Sequence, residues 1–213
     1  MPGNGEMRDV GRAAIAERTQ LKERMVRSWQ SILMLALFLA APAAATEVAG
    51  VALADEIRVG GHALVLNGAG VGSKLFFKIY VGSLYLPRRA ADVDGVFERG
   101  PRRIQMNFLR DLTVNQLVSA LVGGLNANNS PSELAAITAP TDELLRIMKR
   151  FGDVDVREGD VMTLDFVDGA TRVTLNGQSG GVIPGDAFNR ALTRIWLGDK
   201  PAHRGLKKAM LGG

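Results

Sequence analysis

The chain has 213 residues, 46% of them hydrophobic and 23% charged, which is ordinary globular material and enough for one core. Its formal charge of +4 looks basic, but Met1 to Ala45 holds six Lys or Arg against four Asp or Glu, so the remainder carries only +2. With no basic run interleaved with aromatics after Ala45, this excludes an electrostatic footprint for nucleic acid. One domain, a monomer, is expected.

From Met25 the sequence shows one positive charge, an apolar run of about eleven residues, and small residues at Ala43 and Ala45, the pattern of a signal peptide. The run is short of the roughly twenty apolar residues that a membrane helix needs, so cleavage after Ala45 and no remaining membrane span are expected. Met1 to Arg24, polar and charged, sit awkwardly ahead of such a leader. They read as a disordered extension or as residues upstream of a true start at Met25. The chain lacks cysteine, which agrees with export into the periplasm only weakly.

The expected mature chain, residues 46–213, opens with short strands at Val48 to Leu53 and Glu56 to Val59. Gly60 and Gly61 form a turn, and His62 to Leu66 leads through Asn67, Gly68, Ala69 and Gly70 into the longest strand, ending at Leu86. Along that strand Leu75, Phe77, Ile79 and Val81 share one face, and Lys74, Phe76, Lys78, Tyr80 and Gly82 the other. The second face mixes two ammonium groups, a phenol and bare backbone, a composition suited to the lining of a cleft; a solvated sheet face is the alternative. A phenol and an ammonium on an otherwise apolar surface can hold a carboxylate by charge-assisted hydrogen bonds.

Beyond Pro87, Arg88 to Arg99 has helical spacing, and Arg103 to Leu109 alternates Ile104, Met106 and Phe108 inward as a half-buried strand. Thr113 and Gln116 form a capping box for a helix whose apolar face is Val114, Leu117, Leu121 and Leu125. Gly123 and Gly124 either allow close packing or end it early. Ser130-Pro131-Ser132-Glu133 starts a further helix, interrupted before Pro140, and another begins near Thr141. Gly159 to Phe166 and Thr171 to Leu175 pair around Asp168-Gly169, and Gly180 to Ile183 follows Asn176-Gly177. Asp186 caps a helix that buries Phe188, Ala191, Leu192, Ile195 and Trp196, and a last short helix spans Arg204 to Leu211. Strands, helices, strands, helices in that order imply an α+β fold with helices over one face of an antiparallel sheet.

The chemistry is sparse. His62 and His203 lie outside any metal-ligand spacing, so no metal and no cofactor are expected. There is no G-x-S-x-G elbow, and the glycine turn is followed by a strand instead of a phosphate-binding helix. Asp165, Asp168 and Asp186 read as turn or cap residues. What remains is Tyr80 with Lys78, Lys74 and Phe76, beside Gly70 and Gly72.

Several stretches together resemble the chalcone isomerase-like proteins of bacteria. They are the glycine turn followed by K-L-F-F-K-I-Y-V-G-S-L-Y-L, R-I-Q-M-N-F-L-R-D, N-N-S-P-S-E-L, I-P-G-D-A-F-N-R-A-L-T-R-I-W-L-G-D-K-P, and L-K-K-A-M-L-G. The resemblance covers roughly Glu56 to Gly213 and implies an open-faced β-sandwich, a long antiparallel sheet overlaid by helices with a ligand cleft between. Plant members that close a chalcone to a flavanone place an arginine where this chain has Gly72. Their strand threonine aligns with Tyr80 and their second threonine with Ile195. Their helical tyrosine and asparagine have no counterpart in Thr113 to Leu125. Fatty-acid-binding members grip the carboxylate with an arginine and a tyrosine. Tyr80 resembles that tyrosine, and Lys74 or Lys78 is left to stand in for the arginine without its planar fork. The resemblance therefore implies a non-catalytic binder of a small hydrophobic carboxylate such as a fatty acid. The alternatives are an isomerase of the intramolecular lyase class and an interaction module with an empty cleft.

Overall fold

The computed structural model describes residues 45–98, 100–151 and 156–213. The expected leader and the extension before it lie outside the described residues, except for Ala45. Ala45–Val48 (β1) and Val51–Ala54 (β2) pair as a separate hairpin. The main sheet is an antiparallel meander of Glu56–Val59 (β3), His62–Lys74 (β4), Phe77–Leu86 (β5), Arg102–Phe108 (β6), Val161–Val167 (β7), Ala170–Leu175 (β8) and Gln178–Pro184 (β9), paired in chain order. Val93–Glu98 (α1) links β5 to β6. Val114–Asn128 (α2), Pro131–Ala136 (α3) and Thr138–Arg150 (α4) lie between β6 and β7. Asp186–Leu197 (α5) and Arg204–Met210 (α6) follow β9. Among the described residues no helix is long and apolar enough to cross a membrane.

Local chemistry accounts for most of these boundaries. Thr113 and Ser130 each cap a helix start, and Gln116 and Glu133 return the hydrogen bond to the cap backbone. Asp168-Gly169 and Asn176-Gly177 both place two successive residues at positive φ, the geometry that turns a two-residue hairpin with the right twist. Four expectations shift, and the alternative left open at Gly123 and Gly124 is decided. The helix expected over Arg88 to Arg99 is confined to α1. α2 continues through Gly123 and Gly124 as far as Asn128, and α4 takes Pro140 into its first turn, where a missing N–H leaves no bond unmade. The cap of α5 is Gly185, with no side-chain bond, so Asp186 is the first helical residue. Asp165 is no turn residue: it lies mid-strand in β7, where its two carboxylate oxygens accept from Nε and Nη2 of its cross-strand partner Arg103.

The larger correction concerns the glycine stretch. Asn67 to Gly70 form no turn. β4 runs straight through them to Lys74, and the hairpin reverses at Leu75 and Phe76. Two bulges set which side chains go where. Asn67 is an extra residue between the pairs Leu66↔Tyr85 and Gly68↔Leu84, and Ile79 is an extra residue between Gly72↔Tyr80 and Ser73↔Lys78. A single unpaired residue exchanges the two faces of the strand beyond it. Asn67 is buried at its bulge, donating to the carbonyls of Ala90 and Met210 and accepting from Ala90 N–H, which ties α6 to the sheet.

The helix-covered face carries the main core, with Leu84, Ile104, Leu164 and Val173 of the sheet against Leu121, Ile147 and Leu192 of the helices. A smaller cluster on the opposite face lies under the β1–β2 hairpin and includes Leu53, Leu64, Leu66, Val81 and Tyr85. Gly68 and Gly70 are seats for α6: a Cβ on Gly68 would collide with the Ala209 carbonyl oxygen, and one on Gly70 would lie 2.7 Å from Ala209 Cβ.

Candidate functional site

The register pairs Tyr80 with Gly72 on one side and with Phe108 on the other. The phenol ring lies across Gly72, where any Cβ would meet Tyr80 Cζ, and it packs tilted against Phe108 with centroids 6.4 Å apart. Gly72 is therefore bare because the ring needs that space. Trp196 of α5 donates its indole N–H to the Tyr80 oxygen at 3.0 Å. The phenol O–H hydrogen has no acceptor among the described residues. Burial pushes the phenol up to about 12, with the Trp196 hydrogen bond acting in the opposite sense, so at neutral pH Tyr80 is an un-ionised donor.

Above this ring the sheet and α2 do not meet. Between them lies a cavity of about 720 Å³, open to solvent along one side, lined by β4, β5 and β6 below and by α2, α5 and the segment before α6 above. That volume falls within the range typical of small-molecule sites. The walls are mostly apolar: Ile79, Phe108, Leu117, Leu121 and Ile195 contribute to them. Gly123 presents bare backbone to the space, and a Cβ there would touch nothing within 4 Å. Lys74, Arg110, Lys200 and His203 also line it, against the one carboxylate of Asp111, which already accepts the Glu158 backbone N–H at 2.8 Å.

Arg110 is a cavity cation outside the residues expected from the sequence. Its guanidinium lies over the Phe77 ring, 4.6 Å from the centroid, and forms no salt bridge among the described residues. The signal was present in the alternation of β6. Ile104, Met106 and Phe108 point to the helices, and Arg110 is the next position in that series. His203 is engaged locally, its Nδ1 accepting from Leu206 N–H at the start of α6, which places the proton of the neutral ring on Nε2.

Of the six residues singled out from sequence, Tyr80, Gly72 and Lys74 line the cavity. Phe76, Lys78 and Gly70 do not. Phe76 is at the hairpin tip, 97% exposed. Lys78 pairs with Ser73 across the Ile79 bulge and so leaves the face of Tyr80. Gly70 is covered by Leu206 and Ala209 of α6. Phe77 takes the place expected for Phe76, because it pairs with Lys74 on the cavity side. Gly72, Tyr80 and Ile195, which the resemblance to the plant isomerases matches to an arginine and two threonines, all line this one space.

The structure is similar to the crystal structure of a fatty-acid binding protein of Arabidopsis thaliana, with 15% sequence identity and a TM-score of 0.57, covering 76% of this chain and 92% of that one. At that identity the likeness is one of fold. No curated protein sequence matches the chain. The sequence profile of the chalcone isomerase-like proteins matches residues 45–212. Since this is most of the chain and includes every strand around Tyr80, the protein belongs to the chalcone isomerase-like family.

Proposed function

We propose that the protein is a non-catalytic binder of a small apolar acid, a fatty acid being the simplest case, with its hydrocarbon body in the cavity under α2 and its carboxylate at the Tyr80 phenol. The observation that carries this reading is the state of that phenol. Trp196 fixes its oxygen, its hydrogen meets no acceptor among the described residues, and it sits in a mostly apolar space whose charged groups are mainly cations. A carboxylate leaving water needs such partners, since an unpaired buried charge is heavily disfavoured. Arg110 supplies the guanidinium missing at Gly72, from the segment that follows β6, with its donors not committed to any carboxylate among the described residues. The fold shared with a fatty-acid binding protein supports the same reading. The signal-type sequence Met25 to Ala45 supports a periplasmic setting.

The test is displacement of an environment-sensitive dye from the purified protein by oleate. Tyr80→Phe and Arg110→Gln should each weaken oleate about tenfold or more, the scale of one hydrogen bond to a charged group. A chalcone incubated with the protein should keep its absorbance. Absence of oleate binding at high micromolar concentration, or full affinity in both variants, would overturn the proposal.

A further inference from the structure

The tip of the β4–β5 hairpin breaks two local rules at once. Leu75 and Phe76, which form the turn, are 84% and 97% exposed, and Phe77 beside them is 56% exposed. Leu75 also has φ 56°, a left-handed conformation that a branched, bulky side chain rarely takes and that Gly or Asn would fill without strain. A turn chosen for folding would be polar there. Conflict between local preference and observed residue is expected where a segment serves something outside the fold.

The surroundings say what that is. Lys74 and Lys78 flank the tip, both exposed, and Arg110 covers Phe77. None of the three forms a salt bridge among the described residues. The tip is convex, two large apolar side chains projecting from a two-residue turn, whereas a protein partner would have to offer a matching hollow. A bilayer interface accepts such side chains without one, and its anionic headgroups complement the ring of cations. Lys74, Leu75, Phe77 and Arg110 also line the cavity, so a tip seated in lipid would hold the cavity rim at the membrane surface.

We propose that the segment Lys74 to Lys78 is a membrane-surface anchor, with Leu75 and Phe76 entering the headgroup boundary of an anionic bilayer and Lys74 and Lys78 pairing with its phosphates. The inference rests on the hairpin alone and does not require the cavity to be filled.

Because the chain has no cysteine, the tip can be watched directly. The full chain carrying Phe76→Cys, labelled with a polarity-sensitive fluorophore, is titrated with vesicles of phosphatidylcholine with and without phosphatidylglycerol. The emission should move to the blue with anionic vesicles and much less with neutral ones. The same label at Val182→Cys, an exposed apolar position on β9, should not respond, which separates the tip from any other part of the chain that touches lipid. Adding Lys74→Glu and Lys78→Glu should weaken the response at least about tenfold, the scale of two basic residues at a charged surface. Adding Leu75→Asn, which suits the positive φ, should weaken it about tenfold through lost apolar transfer. Tyr80→Phe should leave it intact, so that failure of the anchor and failure of the acid site give different results. No blue shift at position 76, an equal shift at position 182, or a shift produced by protein concentration without vesicles would overturn the anchor, the last in favour of self-association through the tip.

Discussion

Two parts of one sheet face differ in how a helix meets them. At Gly68 and Gly70, α6 lies directly on the strand, with the carbonyl and methyl of Ala209 filling the volume that side chains would have taken. Farther along, above Tyr80 and Phe108, α2 stands away from the sheet, and its own glycine at 123 looks onto open space. Both regions are rich in glycine. In one the missing side chains bring two elements together, and in the other they keep a hollow open. The meaning of a bare position thus lies in what faces it, and the same fold carries a sealed corner and a binding cavity under one layer of helices.

The most damaging way to break the contrast is to fill the sealed corner. Gly68→Val would drive a side chain into backbone of α6, which cannot rotate aside, and would dislodge Leu206 and Met210 from the core. A loss of about 3 kcal/mol or more in urea denaturation is expected. An unchanged midpoint would show that α6 contributes little. Filling the open region should do something different. Gly123→Leu adds a side chain where nothing stands within 4 Å, so the midpoint should hold or rise by the helical gain of up to about 1 kcal/mol, while oleate affinity falls about tenfold to a hundredfold, the scale of overpacking. Retained affinity would move the acid out of this cavity.

The contrast can also be sharpened by titration. Tyr80 and Tyr85 are the only tyrosines and lie on opposite faces of β5, and burial raises the phenol of each. A group whose folded pKa exceeds its unfolded value adds stability that is complete below the unfolded pKa, near 10.0, and is lost as pH rises toward the folded value, about 12 for Tyr80. Tyrosinate absorbance of the folded protein should therefore lag that of the urea-unfolded chain, and stability should fall between those two pH values. Coincident titration curves would mean that water reaches the Tyr80 ring freely.

Much of this architecture is legible in single residues. The capping pairs Thr113/Gln116 and Ser130/Glu133, the turn pairs at 168–169 and 176–177, and the alternation of Ile104, Met106 and Phe108 each state their structure locally. What is hidden depends on distant partners. N-G-A-G at 67–70 has the composition of a turn and is extended strand, because its glycines answer to α6, some 140 residues away in sequence. The Ile79 bulge leaves no mark in composition, yet it sends Lys78 to one face and Tyr80 to the other and puts Phe77 in place of Phe76. Trp196 reads only as one apolar helix residue among several until α5 is laid over β5, where its indole N–H meets the phenol.

The finest test uses two adjacent residues. Gly123 and Gly124 occupy successive positions of α2, so their cost to the helix is the same, about 1 kcal/mol each relative to alanine. Their surroundings are not the same. A Cβ at 123 meets nothing, whereas one at 124 would lie 2.7 Å from Cγ2 of Ile195, a β-branched side chain buried in α5 with little freedom to turn away. Gly123→Ala should therefore stabilise the protein by about 1 kcal/mol. Gly124→Ala should destabilise it by about as much, because crowding of Ile195 exceeds the helical gain. Opposite signs at neighbouring positions would show that α2 touches α5 on one side and borders the cavity on the other. Equal signs would mean that the helix is rotated or that the cavity closes in solution.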